Sequence, residues 1–216
     1  MSSTQEARLV GRVLDELIAR LGGGPLEAEV ARARAEFDER RGRVFEEEDL
    51  WEQWTQAFLE WYVLERVVDG DDLPLAARAI DAGQGETADA VRALLRSHRS
   101  VFEVRSTQPG RVELRDMIGG ALFAVDEKRA MHGVEPGDVV EARLVGLGEQ
   151  VSFTRTFWFH PAGTRDAVEK HIARLRHGGA SRLDILDHLA SLRVKCERYK
   201  HMAPDKLYEQ SVERAT

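Results

Sequence analysis

The sequence predicts an α+β protein: a helical N-terminal region, a central five-stranded antiparallel sheet or small barrel, and C-terminal helices. Apolar residues recur at helical spacing through the first hundred residues and again after Pro161. Between Ser100 and Pro161 the spacing switches to two, and Pro-Gly and Gly-Gly pairs separate the short runs. That block ends on the aromatic run Thr156-Phe157-Trp158-Phe159-His160-Pro161. The implied division is a helical region over 1–99, a small β-module over 100–161, and helices over 162–216 packed on the same body.

In the first helix Leu9, Val10, Val13, Leu14, Leu17, Ile18 and Leu21 form one apolar stripe. Gly22-Gly23-Gly24-Pro25 stops it, and Pro25 suits the first turn of the next helix. That second helix runs to about Val44 on Leu26, Val30, Ala33, Phe37 and Val44. The acidic cluster Glu46-Glu47-Glu48-Asp49 suits the N-terminus of a third helix. Its Leu50, Trp51, Trp54, Phe58, Trp61, Tyr62 and Leu64 make the heaviest aromatic face of the chain, as expected of a core anchor. Two shorter helices follow near Leu75–Ala82 and Thr87–Arg99, broken by Gly83 and Gly85.

In the central block Phe102 and Val104, then Val112 and Leu114, alternate with charged residues. Leu122 to Val125, then Val140, Ala142 and Leu144, then Val151 to Phe159 complete five strands. Glu103, Glu113 and Glu141 are expected to pair with Arg105, Arg111, Arg115 and Arg143 on an outer face. Beyond Pro161, Thr164 can cap a helix carrying Val168, Ile172 and Leu175. Ser181 can cap another, whose Ile185, Leu189, Leu192, Cys196 and Tyr199 form a seam that packs on the body of the chain. A short turn with Leu207 and Tyr208 comes last.

Composition excludes several classes. With 43% hydrophobic and 32% charged residues this is a soluble globular composition, and no apolar run approaches the length of a membrane span. A single cysteine excludes an internal disulfide framework and multi-cysteine zinc motifs, and points to the cytoplasm. The net charge of -7 is uneven: 13 basic and 21 acidic residues over 1–99, but 12 and 8 over 155–216. Opposite halves of this kind attract one another, within a chain or between copies. The excess of arginine over lysine, 26 to 5, matches a GC-rich bacterial genome, so single arginines carry little weight.

No cofactor motif is present. Gly22–Gly24 lack the Lys-Ser/Thr of a phosphate loop, and no serine sits in a nucleophile turn. His160, His171 and His177 do not share a helical face, and Asp184 with His188 lacks a third ligand, so no metal is expected. Cys196 falls on the apolar seam as an inert thiol. Arg155 breaks the apolar alternation of the last strand. Either a bulge near Thr154 turns it outward, with Trp158 then inward, or Arg155, Trp158 and His160 form one corner of a binding surface. Arg193, Lys195, Arg198, Lys200 and His201 make a short basic helix face around Tyr199.

Leu114-Arg115-Asp116-Met117-Ile118-Gly119-Gly120, Val125, and the run from Val134 through Pro136-Gly137-Asp138 to Val145 resemble a small β-module of uncharacterised bacterial proteins. There an aromatic helical segment precedes the strands, as residues 50–64 do here, so the resemblance spans about residues 45–160. Some of those relatives carry a cysteine-rich SEC-C metal-binding tail; this chain has no such cysteines, so zinc is not implied. The resemblance implies a fold and no activity.

The expectation is a non-enzymatic interaction or regulatory protein of a bacterial cytoplasm, with another protein or a second copy as partner and no cofactor. Nucleic-acid binding through the basic C-terminal helix and the β-module is the alternative, and an enzyme with an unrecognised site comes third.

Overall fold

The computed structural model describes residues 3–80, 85–127 and 133–213. Helix α1 (Ser3–Leu21) buries Leu9, Val10, Val13, Leu14 and Leu17. A 3₁₀ turn at Gly24–Leu26 leads into α2 (Glu27–Arg41), whose buried face is Glu29, Ala33, Phe37 and Arg41. The second helix thus ends before Val44. Gly42 ends it with a φ of +97°, a backbone conformation that calls for glycine; an added Cβ would make only ordinary contact with Val194 at 3.4 Å.

Helix α3 (Trp51–Leu64) buries Trp54, Phe58, Trp61 and Tyr62. Phe37 meets Trp54 and Phe58 edge-on at 5.5 and 5.6 Å between centroids, which makes the aromatic helix the core of the helical layer. The expected helix at Leu75–Ala82 is a 3₁₀ turn over Leu75–Ala79, and its last residues, with Gly83, lie outside those described. Helix α4 (Glu86–Leu95) is shorter than the spacing predicts. His98 and Arg99 already belong to a strand.

The strands are β1 (His98–Gln108), β2 (Arg111–Asp116), β3 (Leu122–Asp126), β4 (Val139–Leu147) and β5 (Gln150–Phe159). They form one sheet in the order β3-β2-β1-β4-β5, antiparallel throughout. Phe102, Val104, Val112, Leu114, Val125, Val140, Ala142 and Leu144, from four of the strands, share one inner cluster with Phe123 of β3 and Phe153, Phe157 and Phe159 of β5. Residues of both edge strands meet there, so the sheet curls strongly. It is not a closed barrel: β3 and β5 approach one another without a shared ladder. The short β3 and the bulged β5 offer no matching run of backbone groups for closure.

The outer face is covered in two parts. Val145 and Trp158 join the helical core of α1 to α4, while Val101 and Val139 pack with α5 (Arg165–His177), α6 (Arg182–Arg198) and α7 (Pro204–Glu213). The capping role of Ser181 holds, its hydroxyl and Asp184 forming a reciprocal capping box. Thr164 instead donates its hydroxyl to the Pro161 carbonyl at 2.7 Å. The seam of α6 is internal through Ile185, Leu189 and Leu192, while Tyr199 is exposed. The expected last turn is a ten-residue helix anchored by Leu207 and Tyr208.

Candidate functional site

Between the two apolar patches of the outer face lies a row of buried charge. Arg99 and Arg143 stand directly opposite each other on β1 and β4, and Glu141 stands opposite Val101 and Trp158. Like charges facing across a ladder repel, and here Glu65, just past the end of α3, bridges the two arginines, bonding both guanidiniums. Arg41 reaches down from α2 to Glu141 at 2.5 Å, with Asp187 of α6 at 3.3 Å from its Nε. Its guanidinium also faces Phe37, Trp54 and Trp158 at 5.1–5.5 Å from the ring centres. Burial works against both charges, pushing the Glu141 carboxyl up and pulling the Arg41 guanidinium down. The expected solvated pairing of Glu141 and Arg143 is therefore corrected, because helices cover the face that alternation marks as outer. Glu103 does pair as expected with Arg115, at 2.7 Å.

Glu60 of α3 explains the break in β5. Ala142 pairs with Phe157 and Leu144 with Phe153, so Arg143 alone faces Thr154, Arg155 and Thr156. The Arg155 and Thr156 N–H groups donate to Glu60 Oε1 at 3.0 and 2.9 Å, and the Thr154 hydroxyl and Arg143 Nε donate to Oε2 at 2.8 and 3.2 Å. A fully buried carboxylate thus holds the bulge open.

The bulge separates the three residues singled out on β5. Arg155 turns outward and pairs with Asp15 of α1 at 2.5 Å. Trp158 is buried against Trp54 at 5.7 Å between ring centres. His160 is also buried, its Nδ1 2.8 Å from the Tyr208 hydroxyl, and desolvation with nearby Arg193 lowers its pKa to about 3. Trp158 and His160 therefore lie inside the protein and Arg155 outside it.

What the β5 edge presents instead is phenylalanine. Phe153, Phe157 and Phe159 stack edge-to-face at 5.2 and 5.1 Å and are each partly exposed. Across the opening, β3 offers partly exposed Phe123, while its neighbour Leu122, 75% exposed, falls on the opposite face of the same edge strand. This apolar seam between the unpaired edges is the candidate interaction site. Alternation in Val151 to Phe159 carried its signal, but spacing alone does not reveal that a face opens at the sheet edge.

A family of unknown function, DUF7986, matches residues 37–181. The chain belongs to this family. The DUF7986 match takes in α3, all five strands, Glu60, Glu65, Glu141 and the β5 bulge, and stops just short of Arg182. Its description carries no link to a SEC-C tail. No curated protein and no solved structure matches the chain.

Other titratable groups are taken up internally. Arg193 Nε donates to the Phe159 carbonyl at 2.8 Å, and Arg198 pairs with Glu48 at 3.2 Å, leaving Lys195 exposed on α6 and Lys200 exposed just beyond its end. Cys196 is half-buried, with burial pushing its thiol to about 11. His171 and His188 touch through ring nitrogens 3.0 Å apart. Among the described residues no three His, Cys, Asp or Glu side chains group as metal ligands, and no helix is long and apolar enough to cross a membrane.

Proposed function

We propose that this DUF7986 protein is a non-enzymatic interaction protein with a regulatory role in a bacterial cytoplasm, binding a protein partner along the seam between β3 and β5. The observation that carries this reading is Leu122, a large aliphatic side chain 75% exposed on the edge strand β3, next in sequence to Phe123, which packs with the partly exposed phenylalanines of β5. Unpaired strand edges flanked by apolar side chains are surfaces that proteins either protect or use. Arg155 and Asp15, exposed as a pair near the bulge, supply a polar rim.

The test compares wild type with Leu122→Asp, a substitution at a site that contributes little to the core. Partner recovery from the native host and self-association by light scattering are measured on both. Specific partners or self-association lost in Leu122→Asp, with an unchanged circular dichroism spectrum, support the reading. Recovery and mass identical in both proteins overturn it.

A further inference from the structure

Beside the start of β1 the structure opens a cleft of about 340 Å³. Its polar wall is made by Ser97, His98, Arg99, Arg143, Arg182 and Glu65, so three guanidiniums and an imidazole meet a single carboxylate on the lining. Leu64, Leu95 and Leu183 supply an apolar side. A cavity with an apolar wall and a few converging polar groups is the general form of a small-molecule site.

The polar wall is held from behind by Asp116, at the end of β2. Its carboxylate accepts from Ser100 Oγ at 2.5 Å, His98 Nε2 at 2.9 Å, Arg182 Nη1 at 3.1 Å and the Ile118 N–H at 2.9 Å. Burial opposes the charge, yet the bonds from His98, Ser100 and the backbone hold Asp116 well below the usual carboxylate range. An ionised Asp116 fixes the His98 proton on Nε2 and leaves Nδ1 free as an acceptor. Gly119 makes room for the arrangement: a Cβ there would lie 2.7 Å from Asp116 Oδ2 and 3.0 Å from Arg182 Nη2.

The donors outnumber their acceptors. Arg143 spends its three nitrogens on Glu60, Ser97 and Glu65. Arg99 bonds Glu65 through Nη2; its buried Nε and Nη1 make no hydrogen bond, though Nη1 lies 3.8 Å from Glu141. Arg182 is committed through Nη1 alone; its Nε and Nη2 bond nothing among the described residues, and the side chain is 34% exposed. An immobilised guanidinium edge with two unused N–H groups matches an oxyanion in bidentate geometry.

We infer that this cleft is a binding site for a small molecule with an oxyanion head, a carboxylate or phosphate on the free edge of Arg182, and an apolar body against Leu95 and Leu183, with His98 Nδ1 open to a donor group on the same ligand. The cleft touches the phenylalanine seam where the His98 ring stacks on Phe123 at 5.2 Å, but its ligand-binding test does not depend on the partner proposed there.

Sodium phosphate and sodium hexanoate are titrated separately into the full chain by calorimetry, against sodium chloride at equal ionic strength. Saturable binding is expected from at least one. Phosphate alone would identify a phosphorylated ligand, and hexanoate alone a carboxylate with an apolar tail. Arg182→Gln is expected to weaken binding roughly tenfold or more, since it removes a charged bidentate donor. Leu183→Glu, at a partly exposed position on the rim, is expected to weaken it similarly while leaving the fold intact. No binding beyond the chloride control at about 10 mM, where millimolar sites fill, would overturn the inference. So would wild-type affinity in Leu183→Glu.

Discussion

Arg41 and Glu141 meet at 2.5 Å with neither side chain more than 1% exposed, one from the helical layer and one from the middle of the sheet. Taking two charges out of water is costly, and their attraction together with the surrounding hydrogen bonds offsets that cost only while both are present. Arg41→Met is therefore expected to destabilise by about 3–5 kcal/mol, because Glu141 stays buried without its nearest counter-charge. Combining it with Glu141→Leu should cost less than the sum of the two single changes. Urea unfolding of all four proteins measures the coupling; strict additivity would show that the pair does not act as a unit.

Glu60→Gln tests the carboxylate in the bulge. Each Glu60 oxygen accepts two hydrogen bonds, so an amide NH₂ in either place meets donors it cannot accept from. The expected cost is about 2–4 kcal/mol, read as a lower urea midpoint at an unchanged slope. A midpoint equal to wild type would mean that the bulge does not depend on a carboxylate.

Acid is expected to weaken the fold before the carboxylates titrate. Burial lowers His160 to about 3, His188 to about 4, and His171 below its ordinary value. Arg193 and Arg41 face His160, while Arg174 faces His171 and His188 and Lys195 faces His188, so neighbouring positive charge adds to the effect. The unfolded chain then binds protons below about pH 6.5 that the folded chain refuses, so stability falls as pH falls through that range. Each of the fully buried rings, His160 and His171, contributes up to about 1.4 kcal/mol per pH unit, and half-buried His188 contributes less. Urea midpoints from about pH 8 to pH 5 check this; a flat profile would show rings that titrate as in free peptides.

Cys196 should react slowly. A thiol pushed to about 11 holds roughly a hundredfold less thiolate at neutral pH than an ordinary one. Iodoacetamide labelling of native protein should lag far behind labelling in urea, and equal rates would place the thiol in solvent.

The strands and most helices could be read from the sequence because their signals are local. Alternation marked Val112, Leu114 and Val125, and Ser181 announced α6 through its cap. Where β1 starts was hidden, since Ser97-His98-Arg99 shows no alternation and ordinary helix propensity. Alternation also sorts residues onto two faces without saying what covers either one. Glu141 and Arg143 thus read as solvated until helices were seen on them. The partners that decide the matter are remote: Glu60 meets Arg143 from 83 residues away, and Arg182 meets Asp116 from 66. Glu60 did leave a trace, as the one carboxylate inside the apolar run from Ala57 to Leu64.

The row of charge through the outer face has a consequence for how the chain reaches its native state. A greasy interface tolerates partial or shifted docking, since any apolar contact is nearly as good as another. Arg41, Glu60 and Glu65 have no such freedom: a helical layer docked half-way would trap them against the sheet without Glu141, Arg143 and Arg99. The sheet and the helices above it are thereby bound to fold and unfold together, as one all-or-none unit.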